Sequence, residues 1–353
     1  MRGLRSFLVL AVTLALTADA SAQVSLAPPA ATPPEKPAAE PARPAAKPKA
    51  KPATPAPKPA PTPAPGPAAD TAQPNDPNVD LVFGAFQRGF YKTAFDLAIK
   101  RAANGDPKAM AMLGELYANA FGVPRDDAKA AEWYKRSADA GDREAMFELA
   151  MLRLMGRGGP ADRQEAARLL ASSAKLGNPK AAYNLALMYL GGDTLPQDLR
   201  RAAELMRIAA EAGSPEAQYA LATFYKEGTG VPKDAEKAAR LLQTAALAGN
   251  VDAEVEYAIA LFNGTGTPKN EAAAIALLRK AARQNNAIAQ NRLARVLASG
   301  QGVPVDKVEA LKWHTIAKTA GKGDPELDEA LATVSAGDRA KAEAAARKWL
   351  GAK

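Results

Sequence analysis

Six prolines stand 36 residues apart: Pro124, Pro160, Pro196, Pro232, Pro268 and Pro304. Nothing is inserted or lost between them. Alanines keep the same step at Ala109, Ala145, Ala181, Ala217, Ala253 and Ala289. Glycines keep it at Gly105, Gly141, Gly177, Gly213, Gly249 and Gly321, with Asn285 filling the one gap. Three columns in register over six cycles leave few folds open. A unit of this length is one supersecondary element, too small to bury its own apolar face, and it must stack on copies of itself.

Each unit reads as two helices, A and B. In the stretch from Ser214 to Gly249, Ser214 is a good N-cap and Pro215 suits the first helical position. Ala217, Leu221, Phe224 and Tyr225 then recur at helical spacing. The helix stops at Gly228-Thr229-Gly230, and Val231-Pro232 forces an extended connection. Asp234 caps helix B, whose apolar residues are Ala238, Leu241, Leu242 and Ala245, and Gly249 supplies a left-handed C-terminus. The other units follow suit. Helix A is preceded by Asp106, Asp142, Asn178, Ser214, Asn250 or Asn286, and helix B by Asp126, Asp162, Asp198, Asp234, Asn270 or Asp306.

The run Ala217-Gln-Tyr-Ala-Leu-Ala-Thr-Phe-Tyr-Lys-Glu-Gly-Thr-Gly-Val-Pro-Lys-Asp-Ala-Glu-Lys-Ala resembles the Sel1-like repeat, a cousin of the tetratricopeptide repeat with a longer loop between its helices. The resemblance implies an all-α fold. It would be a right-handed α-solenoid of helix–loop–helix repeats over residues 105–320, closed by terminal caps and used to bind proteins. Units two and three depart at Gly158-Gly159-Pro160 and at Asp193-Thr194-Leu195-Pro196. Differently shaped loops are expected there, between helices that keep register.

Residues 1–22 read as a secretory signal: Arg2 and Arg5, a short apolar run from Phe7 to Leu16, and the cleavage pattern Ala20-Ser21-Ala22. The run is short for a membrane span, so a periplasmic protein starting near Gln23, without stable membrane insertion, is expected. Residues 23–78 are Pro/Ala-rich with scattered Lys and almost no large apolar side chains, which predicts a disordered linker. Residues 79–104 form a shortened unit that turns at Gly89, as a terminal cap would. Residues 321–353 predict two C-terminal capping helices.

The segment from Phe83 to Ala98, Phe-Gly-Ala-Phe-Gln-Arg-Gly-Phe-Tyr-Lys-Thr-Ala-Phe-Asp-Leu-Ala, is similar to the opening of the periplasmic negative regulators of exopolysaccharide production in rhizobia and their relatives. Those proteins are secreted, Sel1-like throughout, and restrain a membrane sensor kinase. The resemblance implies a partner of that kind, the periplasmic domain of a sensor histidine kinase. The linker suits a second reading, an envelope scaffold for a peptidoglycan, division or secretion complex.

The residue inventory argues against an enzyme. The chain has no cysteine, which removes thiol chemistry, disulfides and Cys-based metal sites. Its one histidine, His314, falls in the column of Tyr134, Leu170, Met206, Leu242 and Leu278, and is expected to be packed. The Gly-x-Gly loops lack the preceding strand and following Lys-Ser/Thr of a phosphate cradle. No catalytic residue, metal ligand, cofactor or small-molecule substrate is indicated. The formal net charge of +8 is spread along the helices, with no basic aromatic patch for nucleic acid.

What remains is surface. The helix A core face runs through Ala145, Leu149 and Leu152 in unit two. The positions nearly opposite on the helical wheel are also apolar: Phe147, Met151 and Leu154. Unit three has Tyr183, Leu187 and Leu190 there, unit four Tyr219, and unit five Val255, Ile259 and Phe262. In tetratricopeptide arrays such columns line the concave side. They are expected to form an apolar groove for a protein partner; the other reading is that a tight superhelix closes on itself, or neighbouring A helices cover them, and buries them.

Overall fold

The computed structural model describes residues 80–351, which form sixteen helices and short connections. The expected signal and Pro/Ala linker lie outside the described residues. The N-terminal cap is α1 (Leu81–Gln87) and α2 (Tyr91–Ala103). Six pairs follow: α3 (Pro107–Asn119) and α4 (Asp127–Asp139), α5 (Arg143–Met155) and α6 (Arg163–Lys175), α7 (Pro179–Gly191) and α8 (Leu199–Glu211). The series continues with α9 (Pro215–Glu227) and α10 (Ala235–Leu247), α11 (Val251–Asn263) and α12 (Glu271–Arg283), α13 (Ala287–Ser299) and α14 (Lys307–Thr319). The chain closes with α15 (Pro325–Ala330) and α16 (Ala336–Gly351). The result is an all-α solenoid in which each helix packs chiefly on its chain neighbours.

Local chemistry sets these boundaries. All six A helices start on a side chain accepting from the backbone N–H of the repeated alanine: Asp106 from Ala109, Asp142 from Ala145, and so on to Asn286 from Ala289. The caps of the B helices work alike, as when Asp234 accepts from Lys237 N–H at 2.9 Å. Each B cap is held on its other side as well. Its own N–H donates to a carbonyl near the end of helix A, Asp126 to Tyr117 at 3.1 Å and Asp306 to Leu297 at 2.9 Å. The loop between is thereby closed to one length, which is why no unit gains or loses a residue.

Small side chains let the helices approach. Ala109, Ala145, Ala181, Ala217, Ala253 and Ala289 are all buried, as are Leu113, Leu149, Leu185, Leu221 and Leu293. The loops add a sterically exact contact with the preceding unit. Gly266 has φ +68°, and a Cβ there would overlap the carbonyl oxygen of Ala235 at the start of α10. Gly230 stands in the same way on Leu199, and Gly158 on Asp127. Unit two, expected to differ, therefore keeps the common loop. Unit three does differ: Thr194 occupies the glycine position without a positive φ, and its carbonyl accepts from Gln164 Nε2 at 3.0 Å.

An ion pair reinforces the first junction. Arg157, in the unit-two loop, donates to both carboxylate oxygens of Asp127, at 2.7 and 2.9 Å. Arg157's hydrogen bonds, followed by those of Arg125, hold the Asp127 carboxyl well below the usual carboxylate range. At the other end, Leu327, Leu331, Ala342 and Ala346 extend the core of the last units. The lapse in the glycine column also finds its reason here. Asn285 takes the left-handed conformation at φ +67°, and its Oδ1 accepts from Trp349 Nε1 of α16 at 3.1 Å.

Two outcomes are expected. Gly266→Ala should destabilise the array clearly more than Gly249→Ala. Gly249 is also left-handed but has open space around it, so its substitution should cost only the conformational strain of about 1–2 kcal/mol. Urea denaturation of the two variants checks this, and equal losses would contradict it. Asp127 has a depressed folded pKa, so its stabilisation is present above the unfolded value of about 4 and lost as pH falls below it. The Tm difference between wild type and Asp127→Asn should accordingly be widest near neutral pH and shrink steadily below about pH 4.

Candidate functional site

The ten apolar positions on the A helices fall into two classes. Phe147 and Val255 are core residues, 8% and 3% exposed. Met151, Leu154, Tyr183, Leu187, Leu190, Tyr219, Ile259 and Phe262 are half-buried, packed against the core with part of each side chain at the surface. The expectation that Phe147 and Val255 stand free for a partner is thus corrected. A helix inside a stack meets the following A helix as well as its own B helix and the preceding one. Lys180, at the start of α7, places its Nζ 5.9 Å from the centre of the Phe147 ring. Val255 belongs to a cluster that continues through Ala289 and Leu293 of α13.

Charged residues border the half-buried stripe, and their sign changes along it. In the column next to Phe147, unit two has Glu148, unit five Glu256 and unit six Arg292. Burial pushes the Glu148 carboxyl upward, and the nearby charge of Glu115 adds to the effect. Burial lowers the Arg292 guanidinium, with Arg295 acting in the same direction. Glu256 accepts an ion pair from Lys226 at 2.9 Å, tying unit four to unit five. Arg295 is held by Asp324 at 2.5 Å and Glu326 at 2.8 Å in the C-terminal cap. The tyrosines between are shielded: burial raises the phenol of Tyr183, with Glu216 contributing, and raises that of Tyr219 beside Glu256. These flanking charges were missed by a reading confined to apolar positions. Following the next column along the same 36-residue step would have found them.

This face offers apolar and tyrosyl contacts, bordered by the carboxylates Glu148 and Glu256 and, in unit six, by the guanidinium of Arg292. His314, 2% exposed, is packed, with Nε2 2.9 Å from Asp328 Oδ1. Among the described residues no group of three or more His, Asp or Glu could hold a metal ion, and no helix is long and apolar enough to cross a membrane.

Stacked helix pairs whose only shared feature is a repeated surface define an α-solenoid interaction scaffold. The Sel1 repeat family matches residues 107–142, 143–178, 179–214, 215–250, 251–286 and 287–322, and the chain belongs to that family. It is similar to a Sel1 repeat protein from Oxalobacter formigenes, with 28% identity and a TM-score of 0.59 over 68% of this chain and 98% of that one. It is also similar to a protective antigen of uropathogenic Escherichia coli that displays an SLR fold, with 28% identity and a TM-score of 0.55 over 74% of this chain and 64% of that one. No curated protein matches the chain. Sel1 arrays are protein-interaction modules, typically without enzymatic activity.

Burial dictates how the A-helix face responds to substitution. Phe147→Ala should cost roughly 3–5 kcal/mol, in the range of Leu149→Ala, because each empties a core site. Leu187→Ala, at a half-buried position, should cost clearly less than Leu149→Ala. Denaturant titration of the three variants reads this directly. A Phe147→Ala variant as stable as wild type would return that ring to the surface.

Proposed function

We propose that this protein is a periplasmic regulator whose A-helix face and N-terminal cap hold the periplasmic domain of a membrane sensor kinase, restraining exopolysaccharide production. The observation that carries the reading is the segment from Phe83 to Ala98, similar to the opening of regulators of that kind. Its residues divide between two tasks. Phe86 and Tyr91 pack with Phe121 of the first repeat, ring centres 4.7–5.9 Å apart, which seats the cap on the array. Phe83 and Phe90 are left 48% and 59% exposed, a cost that a partner surface would offset. The signal-like residues 1–22 support a periplasmic location.

The alternative, an envelope scaffold for a peptidoglycan, division or secretion complex, is favoured by residues 23–78, whose composition suits a long spacer.

Affinity capture from detergent-solubilised envelopes separates the readings. The regulator reading expects a sensor histidine kinase, with recovery reduced at least tenfold by Phe83→Ser combined with Phe90→Ser at unchanged Tm. Cell-wall or division proteins in place of a kinase would transfer the case to the scaffold. The mature protein should begin near Gln23, and intact residues 1–22 on a soluble cytoplasmic form would overturn the location.

A further inference from the structure

A cavity of about 350 Å³ opens where α12, α13, α14 and the C-terminal α16 meet. Its walls are largely apolar. Trp313 and Trp349 form one side, edge to face with ring centres 5.2 Å apart, and Leu297 another. Its charged groups are Arg279, Arg283, Lys312 and Glu309, three cations against one carboxylate.

Most of the polar groups here already have partners. Glu309 Oε1 accepts from Trp313 Nε1 at 2.8 Å and from Lys312 Nζ at 2.9 Å. Trp349 donates its N–H to Asn285. Arg279 and Arg283 are different: neither has an ion-pair partner among the described residues. They stand at i and i+4 on α12, on one face of the helix. In units one and three the same two columns hold opposite charges that pair with each other, Lys135 with Asp139 at 2.7 Å and Arg207 with Glu211 at 2.8 Å. Unit five has a second arginine where those units have an acid. Like charges at this spacing destabilise a helix, and a carboxylate shared between them would remove the conflict.

We propose that this cavity is a binding site for a hydrophobic carboxylate. The anion lies between the Arg279 and Arg283 guanidinium groups, and an aromatic or large aliphatic group sits against Trp313 and Trp349. Guanidinium groups suit planar carboxylates through paired hydrogen bonds. A sugar acid fits poorly, because the lining has no amide or hydroxyl side chain for its hydroxyls and the one carboxylate is engaged. The same chemistry is offered by a free arylalkanoic acid and by the C-terminal residue of a protein chain. The inference does not depend on the sensor-kinase reading.

The test uses the full mature chain carrying Trp133→Phe, which leaves Trp313 and Trp349 as the only indoles. Calorimetry and tryptophan fluorescence follow titration with N-acetylphenylalanine, its amide, a heptapeptide ending in a free phenylalanine carboxylate, and glucuronate. Saturable binding of the acid is expected, at least tenfold weaker for the amide. Arg279→Gln combined with Arg283→Gln should lose at least tenfold in affinity with no loss of Tm. A peptide bound at least tenfold tighter than N-acetylphenylalanine identifies a chain terminus as the source, and otherwise the source is a small acid. No saturable binding of either acid, equal binding of acid and amide, an unaffected double variant, or preference for glucuronate would each overturn the proposal.

Discussion

Every helix pair in this protein buries its apolar face only by meeting the next pair. That one constraint orders the rest. The contact surfaces are columns of alanine with leucine between them, so the helices lie close and the packing tolerates little change of length. A residue added to any loop would move the following caps out of register with their backbone partners. The glycine that rests on the preceding B helix fixes the spacing between units, as Gly230 does on Leu199. Stability in such an array is a chain of neighbour terms, and the two ends need separate solutions. Phe86 and Tyr91 supply one against Phe121, and α15 and α16 supply the other.

Function follows from what this stacking leaves over. The loops and the inner faces of the B helices are engaged in closing each unit. On the A helices a half-buried stripe from Met151 to Phe262 keeps partial exposure, held rigid by the core beneath it. Charged groups border the stripe, Glu148 and Glu256 on one stretch and Arg292 in unit six, and on the proposed reading they would orient a bound segment. Rigidity matters here, because a preformed surface avoids the ordering cost that a flexible one would incur on binding.

The 36-residue step makes the helices, their caps and the core alanines legible in the sequence itself, since each depends on chemistry within one unit. What escaped was chemistry between units. A helical wheel distinguishes a core face from its opposite, but it does not know that α7 covers Phe147 with Lys180. The reason that Asn285 replaces the column's glycine lies in α16, whose Trp349 donates to its side chain. The loop at Gly158 looked irregular, yet keeps the common close approach, because the glycine itself and not the residues around it makes the contact. The tryptophan-lined cavity draws on helices as far apart in sequence as α12 and α16, so no single column announces it.

The central claim is that partners are held on the A-helix face. A photo-crosslinking phenylalanine derivative placed at Leu187, half-buried on α7, tests it against the same group at Arg240, exposed on α10. The account predicts that irradiated cells yield a crosslinked membrane protein from position 187 and none from position 240. Crosslinks from position 240 alone would move the binding surface to the B helices and contradict it.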